Sequence, residues 1–185
     1  MKQRLLTCAL WGGLLMAGST NAQTCTNTNM TESTPTSRYT FGAGGVVTDN
    51  TTGLMWKRCL EGQTFSDNGT PSNYLDDACT GSATGLDWQE ALGQAQTANA
   101  ANDGGHNDWR VPNLKELEST VEYCRVGPAL NTEVFPGSDD GLWSGSPLTY
   151  PGYEPYAWSV LFDGGTDLGG DRNDGRAVRL VRSGQ

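Results

Sequence analysis

The sequence predicts an α+β domain: two helices packed on a twisted, mostly antiparallel sheet. Three observations lead there. Two stretches, Asp87-Trp88-Gln89-Glu90 and Asn113-Leu114-Lys115-Glu116, carry the spacing of a capping box, with an acceptor at the N-cap and Glu three residues on. Short runs of β-branched and aromatic residues, bounded by Gly, Asn and Asp clusters, lie before and after them. No repeat divides the chain of 185 residues, so a single core is expected.

The N-terminus reads as an export signal. Lys2 and Arg4 precede an apolar run over residues 5–17, and Thr20-Asn21-Ala22 supplies small residues for cleavage after Ala22. The run is short for a bilayer span, and later stretches are too polar for one. Residues 1–22 are therefore expected to be a signal peptide. Residues 23–37 read as a Thr, Ser and Asn-rich arm, and residues 38–185 as the domain.

Four cysteines remain after the leader, an even number that implies disulfides in an exported chain. They allow three pairings. Cys59 and Cys79 flank a Gly, Ser, Asn and Asp-rich loop with few apolar residues, and a bridge there would staple it. Cys25 would then tie the arm to Cys124. Metal ligation by these cysteines lacks a CxxC spacing.

Within the domain, Tyr39, Phe41, Val46 and Val47 surround a Gly42-Ala43-Gly44-Gly45 turn, and residues 54–59 read as a strand. The Asp87 helix is expected to run to about Asn102, with small inward residues Ala91, Ala95 and Ala98. Pro112 precedes the Asn113 cap. Leu114, Leu117, Val121 and Cys124 then recur at helical spacing, which predicts a helix to about Tyr123. Residues 142–144 and 157–162 read as strands, the second placing Trp158, Val160 and Phe162 on one face. Residues 163–175 read as a Gly and Asp-rich loop. The last strand, residues 176–182, points Val178 and Leu180 inward.

The formal net charge is −9, and loss of Lys2 and Arg4 makes it more negative by two. An acidic surface disfavours nucleic acid, anionic lipid and sulfated polysaccharide. Oxygen-rich Asp163, Asp167, Asp171 and Asp174 in a Gly loop suit Ca²⁺, the one cofactor the sequence suggests; the competing reading is a solvated hairpin loop. Tyr150, Tyr153 and Tyr156, where turn residues separate three tyrosines, are the best candidates for exposed aromatics; the competing reading is loop tyrosines that cover the sheet end. Such side chains offer rigid contact area to a glycan or a surface protein. His106 is the only histidine and is expected to support Trp109. Glu90 and Glu116 read as capping partners, and Arg110, Arg179 and Arg182 as partners of local carboxylates. No nucleophile elbow or zinc-protease motif appears, so no catalytic residue is assigned.

An ordered set of short motifs carries a resemblance. It comprises residues 52–59 (Thr-Gly-Leu-Met-Trp-Lys-Arg-Cys), Trp88 with Ala91, and residues 108–113 (Asp-Trp-Arg-Val-Pro-Asn) with Glu116 and Leu117. Phe135-Pro136, Trp143-Ser144 and residues 178–182 follow. The set resembles the Lcl C-terminal-domain family, whose namesake is the C-terminal part of a bacterial collagen-like adhesin. The resemblance implies a C-type-lectin-like fold, and the Arg110-Val111-Pro112-Asn113 entry is similar to that of the formylglycine-generating group. Those enzymes need a late cysteine pair, and this chain has none after Cys124. The Glu-Pro-Asn and Trp-Asn-Asp tripeptides of calcium-dependent sugar-binding lectins are also absent.

The expected function is that of an exported, non-catalytic binding module with an adhesive or surface-recognition role. The alternatives are a structural subunit of a surface assembly, with the arm supporting a homo-oligomer, and a glycan-active enzyme. Periplasm, cell surface and medium are all compatible destinations.

Overall fold

The computed structural model describes residues 25–26 and 29–184; the expected leader lies outside the described residues. The fold is α+β, with antiparallel sheets, two helices and two disulfides, consistent with the C-type-lectin-like class. Among the described residues, no helix is long and apolar enough to cross a membrane.

One sheet joins both ends of the domain. Strands β1 (Tyr39–Gly42), β2 (Val46–Asp49) and β3 (Leu54–Lys57) form a meander, and β9 (Val181–Ser183) pairs with β3. The β1–β2 turn needs glycine: Gly45 has φ +75°, and a Cβ there would lie 2.5 Å from Cγ of Phe65. A short hairpin, β4 (Thr64–Ser66) with β5 (Ala78–Thr80), occupies the stretch that the sequence presents as a loop. Cys79 stands opposite Phe65 in that hairpin and bonds to Cys59. The disulfide thus anchors a strand pair too small to hold itself.

The third sheet has the order β6 (Gly141–Pro147), β7 (Tyr156–Leu161), β8 (Thr166–Asp171). It is buried on both faces near β6. Leu142, Val160 and Phe162 join a core with Trp56, Phe135 and Leu117; Trp143 and Ala157 join a second with Trp109, Val178 and Leu180. Trp158 lies in phase with Val160 and Phe162 but is only half-buried, whereas its neighbours on the other face, Ala157 and Ser159, are fully buried.

Helix α1 (Trp88–Ala100) opens with the expected capping box, Asp87 accepting from the Glu90 N–H and Glu90 from the Asp87 N–H. Helix α2 (Leu114–Glu118) has the same box between Asn113 and Glu116 but stops five residues before Tyr123. Ser119 Oγ donates to the Glu116 carbonyl at 2.6 Å, and Thr120 Oγ1 to the Leu117 carbonyl at 2.7 Å. These side-chain bonds turn the chain away from the helix. Val121 then bridges Leu130, and the Glu122 N–H donates to the Ala129 carbonyl. Leu117, Val121 and Cys124 are buried as their spacing suggests, although only the first is helical.

The arm folds back on its own domain. Cys25 bonds to Cys124, and the buried Glu122 carboxylate receives Ser33 and Thr34. Thr36 Oγ1 donates to Glu133 at 2.7 Å.

Candidate binding face

The connection from β6 to β7 is built from successive tight turns. The Tyr153 N–H donates to the Tyr150 carbonyl at 3.0 Å, and the Tyr156 N–H to the Tyr153 carbonyl at 2.9 Å. Gly152, at φ +86°, turns the chain between them. Tyr150 and Tyr153 are left 70% and 52% exposed. Tyr156 is half-buried at the start of β7, its ring 5.7 Å from that of Tyr153 and tilted by 59°. Beside them the Glu154 carboxylate sits below its ordinary pKa, because its own backbone N–H and that of Gly152 donate to it.

The base of this loop is fixed from two sides. The Leu148 N–H donates to the Tyr156 carbonyl at 3.1 Å, and Arg172 Nε donates to the same carbonyl at 3.1 Å. The Arg172 guanidinium lies 4.5 Å from the centroid of Trp88. Trp88 is held in turn by its Nε1–H on the Ser144 carbonyl and its backbone N–H on the Arg172 carbonyl, both 2.8 Å. The first turn of α1 and the end of β8 thereby extend the tyrosine loop into one aromatic and guanidinium surface. Arg172 and Trp88 were not singled out as site residues from sequence; only their pairing across 84 positions of chain puts them there, and no local signal reports it.

The four aspartates do not gather. Residues 166–171 are strand β8, not loop, paired throughout with β7. Its glycines serve close packing: a Cβ on Gly170 would lie 2.9 Å from Cη2 of Trp143, and one on Gly169 would touch Leu148. Asp163 lies in the turn before β8, Asp167 stands opposite Val160, Asp171 opposite Tyr156, and Asp174 lies beyond, 3.4 Å from Arg176. Four residues of strand separate Asp167 from Asp171 by about 13 Å. Asp171 Oδ1 accepts the backbone and side-chain N–H groups of Asn173. Among the described residues, no group of three or more His, Cys, Asp or Glu could hold a metal ion. Only Asp171 adjoins the tyrosine loop.

The remaining charged candidates are structural. Arg110 grips both oxygens of Glu116 at 2.6 and 2.7 Å, and Arg182 Nε donates to Asp108 at 2.5 Å. The Arg110 pair and the Asn113 N–H overcome burial and keep Glu116 below its ordinary pKa. Arg179 departs from expectation. It is fully buried and donates to the carbonyls of Lys57, Arg58 and Gly137 rather than to a carboxylate. Burial, and then the like charge of Arg58, pull its pKa down. Arg58 itself bonds to Asp77 and the Val134 carbonyl. His106 lies edge-on to Trp109 with 5.9 Å between rings.

Two open depressions of about 300 and 320 Å³ flank α2. Their charges are committed: Arg38 to Asp49, Lys115 to Glu118 and Glu116 to Arg110.

Comparison with curated proteins finds no match. Comparison with known families matches residues 45–182 to the Lcl C-terminal domain, from the β1–β2 turn to the last strand. The chain belongs to the Lcl C-terminal domain family.

Proposed function

We propose that this protein is an exported, non-catalytic recognition module that holds a glycan or a surface protein on its tyrosine face, in an adhesive or surface-recognition role. The exposure of Tyr150 and Tyr153 on a loop fixed at its base carries the reading. Large aromatic side chains left in solvent on a rigid support lose little conformational freedom when a ligand stacks on them. The disulfides are those of a chain that folds in an oxidising compartment, which fits the periplasm, the cell surface or the medium. The non-catalytic reading rests on the glutamates: Glu90 and Glu116 cap helices, Glu122 binds the arm and Glu118 pairs with Lys115.

The test is a glycan array probed with the oxidised protein, in calcium and again in chelator, beside the Tyr153→Ala/Tyr156→Ala variant. Selective binding lost in the variant supports the tyrosine face. Binding retained in full by the variant refutes this face as the site. Loss in chelator alone would instead point to a cation bound together with the ligand. The alternative of a structural subunit assembled through the arm has less support, since Cys25, Ser33, Thr34 and Thr36 all bind within their own domain. A discrete oligomer lost on deleting residues 24–37 would favour it.

A further inference from the structure

The last sheet ends on an edge. In the order β6-β7-β8, β8 has a neighbour on one side only. The hydrogen-bond phase fixes which groups face outward. The Phe162 N–H donates to the Asp140 carbonyl, so residues 160 and 162 of this stretch turn toward β6. The Arg172 N–H donates to the Pro155 carbonyl, so residues 157, 159 and 161 turn toward β8 and meet Gly170, Leu168 and Thr166. By the same alternation, Asp167, Gly169 and Asp171 point their backbone N–H and C=O groups away from the sheet. Among the described residues, only the Asp171 carbonyl has a backbone partner on that side, the Asp174 N–H at 2.8 Å.

The chemistry beside this edge is acidic. Asp167 and Asp171 flank the outward groups of Gly169, and Asp163 and Asp174 lie past the two ends. The nearby bases are occupied: Lys115 with Glu118, Arg172 on Trp88, and Arg176 on Trp143 and Asp174. A second copy of this chain would bring aspartates against aspartates, which works against edge-to-edge self-association. An incoming strand with Lys or Arg at alternate positions would instead place its cations over Asp167 and Asp171 while its backbone fills the outward groups. Gly169 carries no side chain of its own between them, and Leu148 packs against its position.

We propose that the edge of β8 is a docking site for an extended, basic segment of a partner polypeptide, which adds as a fourth strand to the β6-β7-β8 sheet. Main-chain bonds to Asp167 and Gly169 supply the attachment, and the aspartates select the charge. The site is distinct from the tyrosine face, although Asp171 and Tyr156 are register partners, so a protein ligand could span both.

The probe is a blocked peptide of about ten residues alternating Lys with Thr, long enough to cover the strand. One control replaces Lys by Glu; a second interrupts the sequence with Pro at every fourth position. Binding to the oxidised protein is read by fluorescence anisotropy and by amide exchange. The Lys-Thr peptide is expected to bind, to weaken with added salt, and to slow exchange at Asp167 and Gly169; both controls are expected to fail. Gly169→Pro removes an outward N–H that the native sheet does not use and should raise the Kd about tenfold, the loss of one bond. Asp167→Asn with Asp171→Asn should flatten the salt dependence. Equal binding of the Pro-interrupted peptide, or unprotected Asp167 and Gly169 amides in the wild-type complex, would overturn strand addition in favour of diffuse charge attraction. No binding at all would overturn the proposal outright.

Discussion

Replacing Glu122 by Gln should destabilise the domain by about 3 kcal/mol and make the deficit depend on pH. The carboxylate is fully buried and accepts five hydrogen bonds. Oε1 takes the Ser33 N–H at 2.9 Å, Ser33 Oγ at 3.0 Å and the Cys124 N–H at 3.1 Å; Oε2 takes the Thr34 N–H at 2.7 Å and Thr34 Oγ1 at 3.0 Å. Glutamine keeps the shape but offers one oxygen. The hydroxyls can rotate to accept from the new amide, whereas a backbone N–H cannot. At least one buried N–H is therefore left facing a donor, at about 1–3 kcal/mol, and charge-assisted bonds are lost besides.

The pH dependence has a definite sign. Burial pushes the Glu122 pKa up, but the donors from Ser33, Thr34 and Cys124 outweigh it and leave the value below the ordinary 4.5. A carboxylate depressed on folding stabilises fully above its unfolded pKa and loses that contribution as pH falls through its folded pKa. Urea unfolding of wild type and variant at pH 7 should show the full difference, which should shrink below pH 4.5. The two proteins differ at no other carboxylate, so the difference isolates Glu122. A deficit under about 1 kcal/mol at pH 7, or one that does not change with pH, would refute the reasoning.

Three further outcomes follow from the same packing. Arg179→Lys keeps the charge but loses the planar fork that reaches three carbonyls, and chemical unfolding should show a cost of about 2–4 kcal/mol, whereas a neutral result would mean those carbonyls are otherwise satisfied. Cys59→Ser with Cys79→Ser opens a loop closed over 20 residues and should cost about 3 kcal/mol, with limited proteolysis cutting first between the two positions. Gly45→Ala meets both a left-handed φ of +75° and the Phe65 ring, so its melting temperature should fall by more than that of the exposed control Gly164→Ala, where a Cβ meets nothing.

Local chemistry was the legible part of this fold. Both capping boxes can be read because the residues that satisfy the helix N-terminus lie three positions apart. The Cys59–Cys79 bridge follows from a loop with too little apolar content to stand alone, and the structure has it. The exposure of Tyr150 and Tyr153 was legible because turn residues separate the rings, whereas Tyr156 opens β7 and is half-buried. What escaped depends on partners distant in sequence. Strand β8 reads as a loop because Asp and Gly are turn formers; its glycines are there for Leu148 and Trp143. The end of α2 was missed because Ser119 and Thr120 fit a helix by periodicity and leave it by side-chain bonding. The carbonyl cage of Arg179 draws on positions 57, 58 and 137, which no window of sequence brings together.

The distribution of charge links the scaffold to its surface. Ten lysines and arginines follow residue 22. Arg38, Lys57, Arg58, Arg110, Lys115, Arg125, Arg176 and Arg182 each pair with a carboxylate. Arg172 lies on Trp88, and Arg179 is enclosed by carbonyls. The scaffold thus holds its cations in place while acidic groups remain in excess, and the field around the molecule is negative. Long-range attraction then favours a basic partner and weakens with salt, while the short-range contacts on offer are tyrosine rings and the backbone of β8. A partner that binds with no salt dependence would have to rely on the rings alone. One that binds with a steep dependence and survives loss of Tyr153 and Tyr156 would place the contact at the strand edge.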